Sequence, residues 1–196
     1  MIPYFQTTPF TTAASSLLTV LHHLNPETKQ NQQTEFHIWR KTVTLPTRGS
    51  SIFALAKYAK QFNPKLIIEN KEYKFPDYRF YRYTKQDIDH AEISSNLHFK
   101  DAEKHVNIEE RKIEFTEIKQ QLKNNIIILR VNAKPIRNNK INTSNYIVVN
   151  HYENGYFSII DPAFAALSVP EETLKEAFTS LETKKYRDHR MLLFPK

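Results

Sequence analysis

Eight histidines and no cysteine set the limits of the chemistry open to this chain. Without a thiol there is no disulfide, no zinc–thiolate or iron–sulfur site and no thiolate nucleophile. His98 and His105 stand three residues before and four residues after Asp101, a spacing that sets three ligands on one helical face. Charge is dense along that whole segment, so the triplet reads as a solvated face and no metal is expected. His22 and His23 are adjacent and point to different faces of one helix. His37, His90 and His189 have no partner legible in sequence, and the carboxylate pairs Asp87/Asp89 and Glu109/Glu110 read as solvated surface.

The second chemical candidate is the stretch from Lys71 to Lys85, where Tyr and Phe alternate with Lys and Arg. Rings for stacking and cations for phosphates are what a nucleic-acid or polyanion surface uses. Lys74, Arg79 and Arg82 would be its anion contacts. The same alternation is that of a half-buried strand, which is the preferred reading because no RNA-binding strand signature or zinc finger accompanies it.

Composition narrows the function classes further. At 196 residues, 40% hydrophobic and 25% charged, the chain is globular and long enough for one core. Its two glycines, Gly49 and Gly155, cannot write either common phosphate-cradling loop, and no cofactor is expected. The 28 basic and 21 acidic residues give a net charge of +7, which permits acidic partners. The first residues lack a basic and then apolar leader pattern, and no apolar run approaches the roughly 20 residues of a membrane span. A cytoplasmic protein without a membrane span is expected.

The elements that must position these groups follow from pattern. Thr11 or Thr12 is expected to cap a helix through Leu17, Leu18, Leu21 and Leu24, stopped by Asn25-Pro26. Further helices are expected at about 33–42, 52–62, 86–103, 114–122 and 170–181. Strands are expected at 66–69, 126–131, 146–150, 156–160 and 191–194, with a hairpin turn at Glu153-Asn154-Gly155. Helices precede the main strands without a βαβ rhythm, which is an α+β order. No repeat or linker divides residues 1–196, so a single domain is expected.

The order of pieces resembles the bacteriocin-processing-type (double-glycine leader) peptidases of the papain-like cysteine peptidase superfamily. Ile2-Pro3-Tyr4-Phe5-Gln6, then Phe10-Thr11, then a helix is similar to that family's start, where a Gln lies six residues before a Cys-Gly-Pro. Phe36-His37-Ile38-Trp39-Arg40-Lys41, then Gly49, then Ala54-Leu55-Ala56-Lys57-Tyr58 is similar to a standalone branch. Tyr146-Ile147-Val148-Val149 stands where the family has His followed by an apolar strand, and Asn154 to Pro162 stands where its strand ends in Asp-Pro.

The resemblance implies a papain-like α+β fold, with a helical N-terminal half packed on a C-terminal antiparallel sheet. It sets Gln6 on the oxyanion-hole glutamine and Asp161 on the residue that orients the histidine. Thr12 falls on the nucleophilic cysteine and Asn145 on the catalytic histidine, with Ala13-Ala14 in place of Gly-Pro. An asparagine cannot accept a proton at useful pH, and a threonine hydroxyl needs a base to attack. His151 shares the strand of Asn145 but lies about 20 Å further along it, and His22 and His23 are about 15 Å from the helix start. The simplest reading of Thr12 is a helix cap.

The leading expectation is therefore a catalytically inactive pseudopeptidase whose remnant cleft, lined by Gln6, Thr12, Asn145 and Asp161, binds a peptide or protein partner. Degenerate domains on export transporters, which this chain resembles, are a precedent. The alternatives are a divergent amide or acyl hydrolase or transferase using Thr12, and polyanion binding through Lys71–Lys85.

Overall fold

The computed structural model describes residues 1–72, 83–181 and 187–196. The expected basic–aromatic stretch, with Lys74, Arg79 and Arg82, therefore lies largely outside the described residues.

The N-terminal half is helical. Helix α1 (Thr12–Leu24) is buried from Thr12 to Leu21, and Asn25, in extended conformation before Pro26, ends it. Helix α2 (Gln32–Thr42) starts at Asn31, whose side chain accepts from the Thr34 amide at 2.9 Å. A two-residue ladder of β1 (Val43–Thr44) and β2 (Gly49–Ser50) leads into α3 (Ile52–Tyr58). The expected helix at 52–62 is split there: after Tyr58 a 3-10 turn, Lys60–Phe62, ends on Asn63 in left-handed conformation at φ 49°. Strand β3 (Lys65–Ile68) follows. Helix α4 (Lys85–Ala102) opens on a reciprocal cap, in which the Thr84 hydroxyl accepts from the Asp87 amide and the Asp87 carboxylate from the Thr84 amide.

The remaining elements are β4 (Asn107–Glu110), α5 (Phe115–Gln121), β5 (Asn125–Asn132), α6 (Ala133–Arg137), β6 (Ser144–Glu153), β7 (Tyr156–Asp161), β8 (Ala165–Pro170), α7 (Glu171–Thr179) and β9 (Arg190–Pro195). The main sheet has seven strands in the order β4-β3-β9-β5-β6-β7-β8. All neighbours are antiparallel except β3 and β4. Asn154 at φ 49° and Gly155 at φ 83° join β6 to β7, the two positive φ values that a two-residue hairpin of the right twist requires. This is an α+β fold, with strands β1, β2, β4 and β8 and helix α6 added to the elements read from sequence.

Two apolar layers hold it together. Leu17, Leu18, Phe53, Ile128 and Val148 fill the space between the N-terminal helices and one face of the sheet. Ile127, Leu129, Ile147, Phe157 and Phe178 fill the space between the other face and the later helices α5, α6 and α7. Strand β5 alternates between the two layers, so its run Ile126-Ile127-Ile128-Leu129 is apolar at every position. No helix among the described residues is long and apolar enough to cross a membrane.

Candidate functional site

Glu35, fully buried on α2, organises the N-terminal segment. Its carboxylate accepts from the Thr7 amide at 2.9 Å, the Thr7 hydroxyl at 2.6 Å, the Ser15 hydroxyl at 3.0 Å and the Tyr4 hydroxyl at 3.1 Å. A buried carboxylate is costly unless its lone pairs are filled, and here neutral donors fill them. Burial pushes the Glu35 carboxyl up, but hydrogen bonds from the surrounding hydroxyls and the Thr7 amide outweigh it and hold the group below its ordinary value. Burial and the adjacent Glu35 charge push the Tyr4 phenol up to about 12. The Tyr4 amide also donates to the Thr19 hydroxyl of α1 at 3.0 Å. Residues 4 to 7 are thus tied to both helices, which fixes Gln6 between two anchors.

Gln6 meets Thr12 directly. The Thr12 hydroxyl donates to Gln6 Oε1 at 2.5 Å, and the Gln6 amide donates to the Pro162 carbonyl at 2.9 Å. Thr12 is the first residue of α1, and Thr11 is the capping residue. The expectation that Thr12 is a cap is corrected: its hydroxyl is turned to Gln6 instead. Thr11 caps by position only, since its hydroxyl donates to the Thr8 carbonyl at 3.0 Å.

Asp161 and Asn145 meet through a residue that the sequence did not single out. Arg137, the last residue of α6, donates from Nε to Asp161 Oδ2 at 2.6 Å and from a terminal nitrogen to Asp161 Oδ1 at 2.7 Å. The carboxylate is fully buried, and the arginine side chain is 12% exposed. The Asn145 amide is oriented by its neighbours. Assigned so that its oxygen faces the guanidinium, the amide accepts from one Arg137 terminal nitrogen at 3.1 Å and, more closely, from the other, and its nitrogen donates to the Ser144 carbonyl at 3.0 Å. The guanidinium therefore sits between Asn145 and Asp161. The bond from Gln6 to Pro162, the residue after Asp161, joins this group to the Gln6–Thr12 pair.

Beside the junction lies an open groove of about 300 Å³, lined by Phe5, Gln6, Thr8, Pro9, Pro162 and Phe164. The rings of Phe5 and Phe164 are about half exposed. No charged side chain among the described residues lines it.

The other candidates are distributed elsewhere. His98 pairs with the Val43 carbonyl at 3.3 Å, and Asp101 bonds Lys57. No group of three His, Cys, Asp or Glu residues among the described residues is placed to hold a metal. His189, whose partners the sequence did not reveal, is buried, stacks on Phe178 at 3.7 Å, and bonds Glu69 at 2.9 Å and the Phe178 carbonyl at 3.0 Å. Ser16 donates to the Tyr146 carbonyl of β6 at 2.8 Å, as a helix residue facing the sheet should, whereas Ser15 turns to Glu35. Trp39 packs against Phe10 and Phe36 and donates to the Arg48 carbonyl at 3.0 Å. A second buried charge group has Arg130 and Arg190 sharing Asp188 at 2.8 and 2.7 Å. There burial, and then the neighbouring Arg187 and Arg190, push the Arg130 guanidinium down to about 10.

No curated protein matches this chain. The model of the Peptidase_C39 like family matches residues 2–187, a span that takes in Gln6, Thr12, Arg137, Asn145 and Asp161. The chain belongs to the Peptidase_C39 like family.

Proposed function

We propose that this protein is a non-catalytic member of its family, a pseudopeptidase that holds a peptide or protein segment in the cleft beside Gln6, Thr12, Asn145 and Asp161. The observation that carries the reading is the Arg137 guanidinium between Asn145 and Asp161. A nucleophile of the thiol or hydroxyl type needs a neighbour that takes its proton. Arginine stays protonated in proteins and an asparagine amide is not a base, so neither supplies that function. The Thr12 hydroxyl already gives its proton to the neutral oxygen of Gln6. What the arrangement offers instead is the groove between Phe5 and Phe164, to whose lining Gln6 contributes and which suits an uncharged stretch of polypeptide, while the Thr12 and Asp161 side chains are buried behind it.

The test has two arms. Broad acyl-ester and peptide probes should leave the protein unlabelled, and a peptide array should retain it through spots that Phe164→Glu no longer engages. Covalent labelling that Thr12→Ala abolishes would assign catalysis to Thr12 and overturn the reading.

A further inference from the structure

The two edges of the main sheet are built differently. On β4, Glu109 pairs with Lys65 at 2.7 Å and with Arg111 at 3.2 Å, and Glu110 lies beside Lys71. Charges of this kind discourage a second strand from adding to an edge. On β8 there is no such guard among the described residues. Residues 162–170 read Pro-Ala-Phe-Ala-Ala-Leu-Ser-Val-Pro, without a charge, and Phe164, Ala166, Ser168 and Pro170 are exposed.

The Glu171 amide donates to the Gly155 carbonyl at 2.8 Å, in register with the pairing of Tyr156 with Pro170. Antiparallel ladders alternate, so Val169, Leu167 and Ala165 turn their backbone groups to β7, while Pro170, Ser168 and Ala166 turn theirs outward. Pro170 fits that phase, because proline is tolerated where an amide would face solvent. At the other end, the Phe164 amide is occupied by the Asp161 carbonyl at 2.9 Å. The outer edge of β8 thus offers amide donors at Ala166 and Ser168, and these positions flank Leu167.

We infer that β8 is a dimerisation edge whose occupant is a second copy of this chain. Two donors and two acceptors placed evenly about Leu167 are self-complementary under a two-fold axis. Ala166 of one copy exchanges both backbone bonds with Ser168 of the other, and the reverse pair does the same. Leu167, half-buried against the second apolar layer, then faces its own mate across the axis. Each copy carries +7, so close approach requires a strip on which no like charges face each other, and residues 162–170 are such a strip. The inference does not depend on what the cleft binds.

Sedimentation equilibrium of the full chain over a wide concentration range is the test. The wild-type protein should pass from monomer to dimer. Ser168→Pro removes an outward amide without touching the β7 ladder, and Ala166→Lys sets two like charges diagonally across the two-fold axis. Each should raise the dimer dissociation constant by at least about tenfold, with the far-ultraviolet circular dichroism of the monomer unchanged. Should Ser168→Pro fail to fold, Ala166→Lys decides alone. A wild-type chain that stays monomeric throughout, or a dimer that survives the folded variants, overturns the inference.

Discussion

The Arg137 guanidinium grips Asp161 through two parallel hydrogen bonds, at 2.6 and 2.7 Å, on a carboxylate wholly withdrawn from solvent. Fork-to-fork geometry of this kind is the strongest pairing that arginine makes with a carboxylate. It also occupies both oxygens of Asp161 at once.

Removing one partner should therefore be expensive. Arg137→Ala leaves a buried, uncompensated carboxylate, and urea denaturation should show a loss of about 3–5 kcal/mol. Arg137→Lys keeps the charge but not the fork, and should fall between that variant and wild type. Asp161→Asn combined with Arg137→Met should recover part of the loss, because no charge is then stranded. Equal stability of Arg137→Ala and wild type would show that the pair contributes nothing.

The same guanidinium sets the electrostatics at position 145. An imidazole introduced by Asn145→His would lie against a fixed positive charge, which disfavours its protonated form. Its pKa, followed by NMR, should lie below the ordinary value of about 6.5. Adding Arg137→Ala should raise it above that value, as the Asp161 carboxylate becomes its neighbour. A pKa that does not respond to residue 137 would place the guanidinium elsewhere in solution.

Glu35 makes acid stability testable. Its carboxyl is held below the ordinary value in the folded state, so the folded protein binds fewer protons there than the unfolded chain. Its stabilisation is complete above the unfolded value of about 4.3 and is lost as the pH falls through the lower folded value. The melting temperature should drop on acidification across that window, and Glu35→Gln should flatten the drop. At neutral pH, Glu35→Gln should cost about 1–3 kcal/mol, since an amide turns donors toward donors. Tyr4 acts at the other extreme: with its phenol raised to about 12, its contribution is present below about 10 and fades as the pH rises toward the folded value.

Gly155 sits at φ 83° with nothing within 4 Å of where a Cβ would be. Gly155→Ala should therefore act through backbone strain alone and lower stability by about 1–2 kcal/mol. Thermal melting would read this directly, and a neutral variant would mean that the turn adapts.

The main helices and strands were legible because their signals are local. The spacing of Leu17, Leu18, Leu21 and Leu24 is helical, and Asn154-Gly155 between two apolar runs marks a hairpin. Strand β8 was missed because Ala, Ser and Pro carry little strand signal, and its pairing comes from β7. Gln6 and Asp161 stand out in the sequence only through resemblance, and in the structure they bond Thr12 and Arg137. Arg137 itself carried no signal. It closes a five-residue helix, and its partner is 24 residues away in sequence, a relation that only the folded sheet creates. Glu35 was hidden for a related reason: an acidic residue in the first turn of a helix looks like ordinary surface, and burial became evident only once residues 4–7 crossed over it.

The cage of neutral donors around Glu35 bears on ionic strength. The peripheral pairs, such as Lys65 with Glu109 and Lys112 with Glu114, are open to solvent, and salt screens them. The Glu35 carboxylate is satisfied by hydroxyls and an amide, which have no net charge for ions to screen. The anchor that sets Gln6 against Thr12 should therefore hold its geometry in dilute buffer and in concentrated salt alike, while the rim of the molecule loosens.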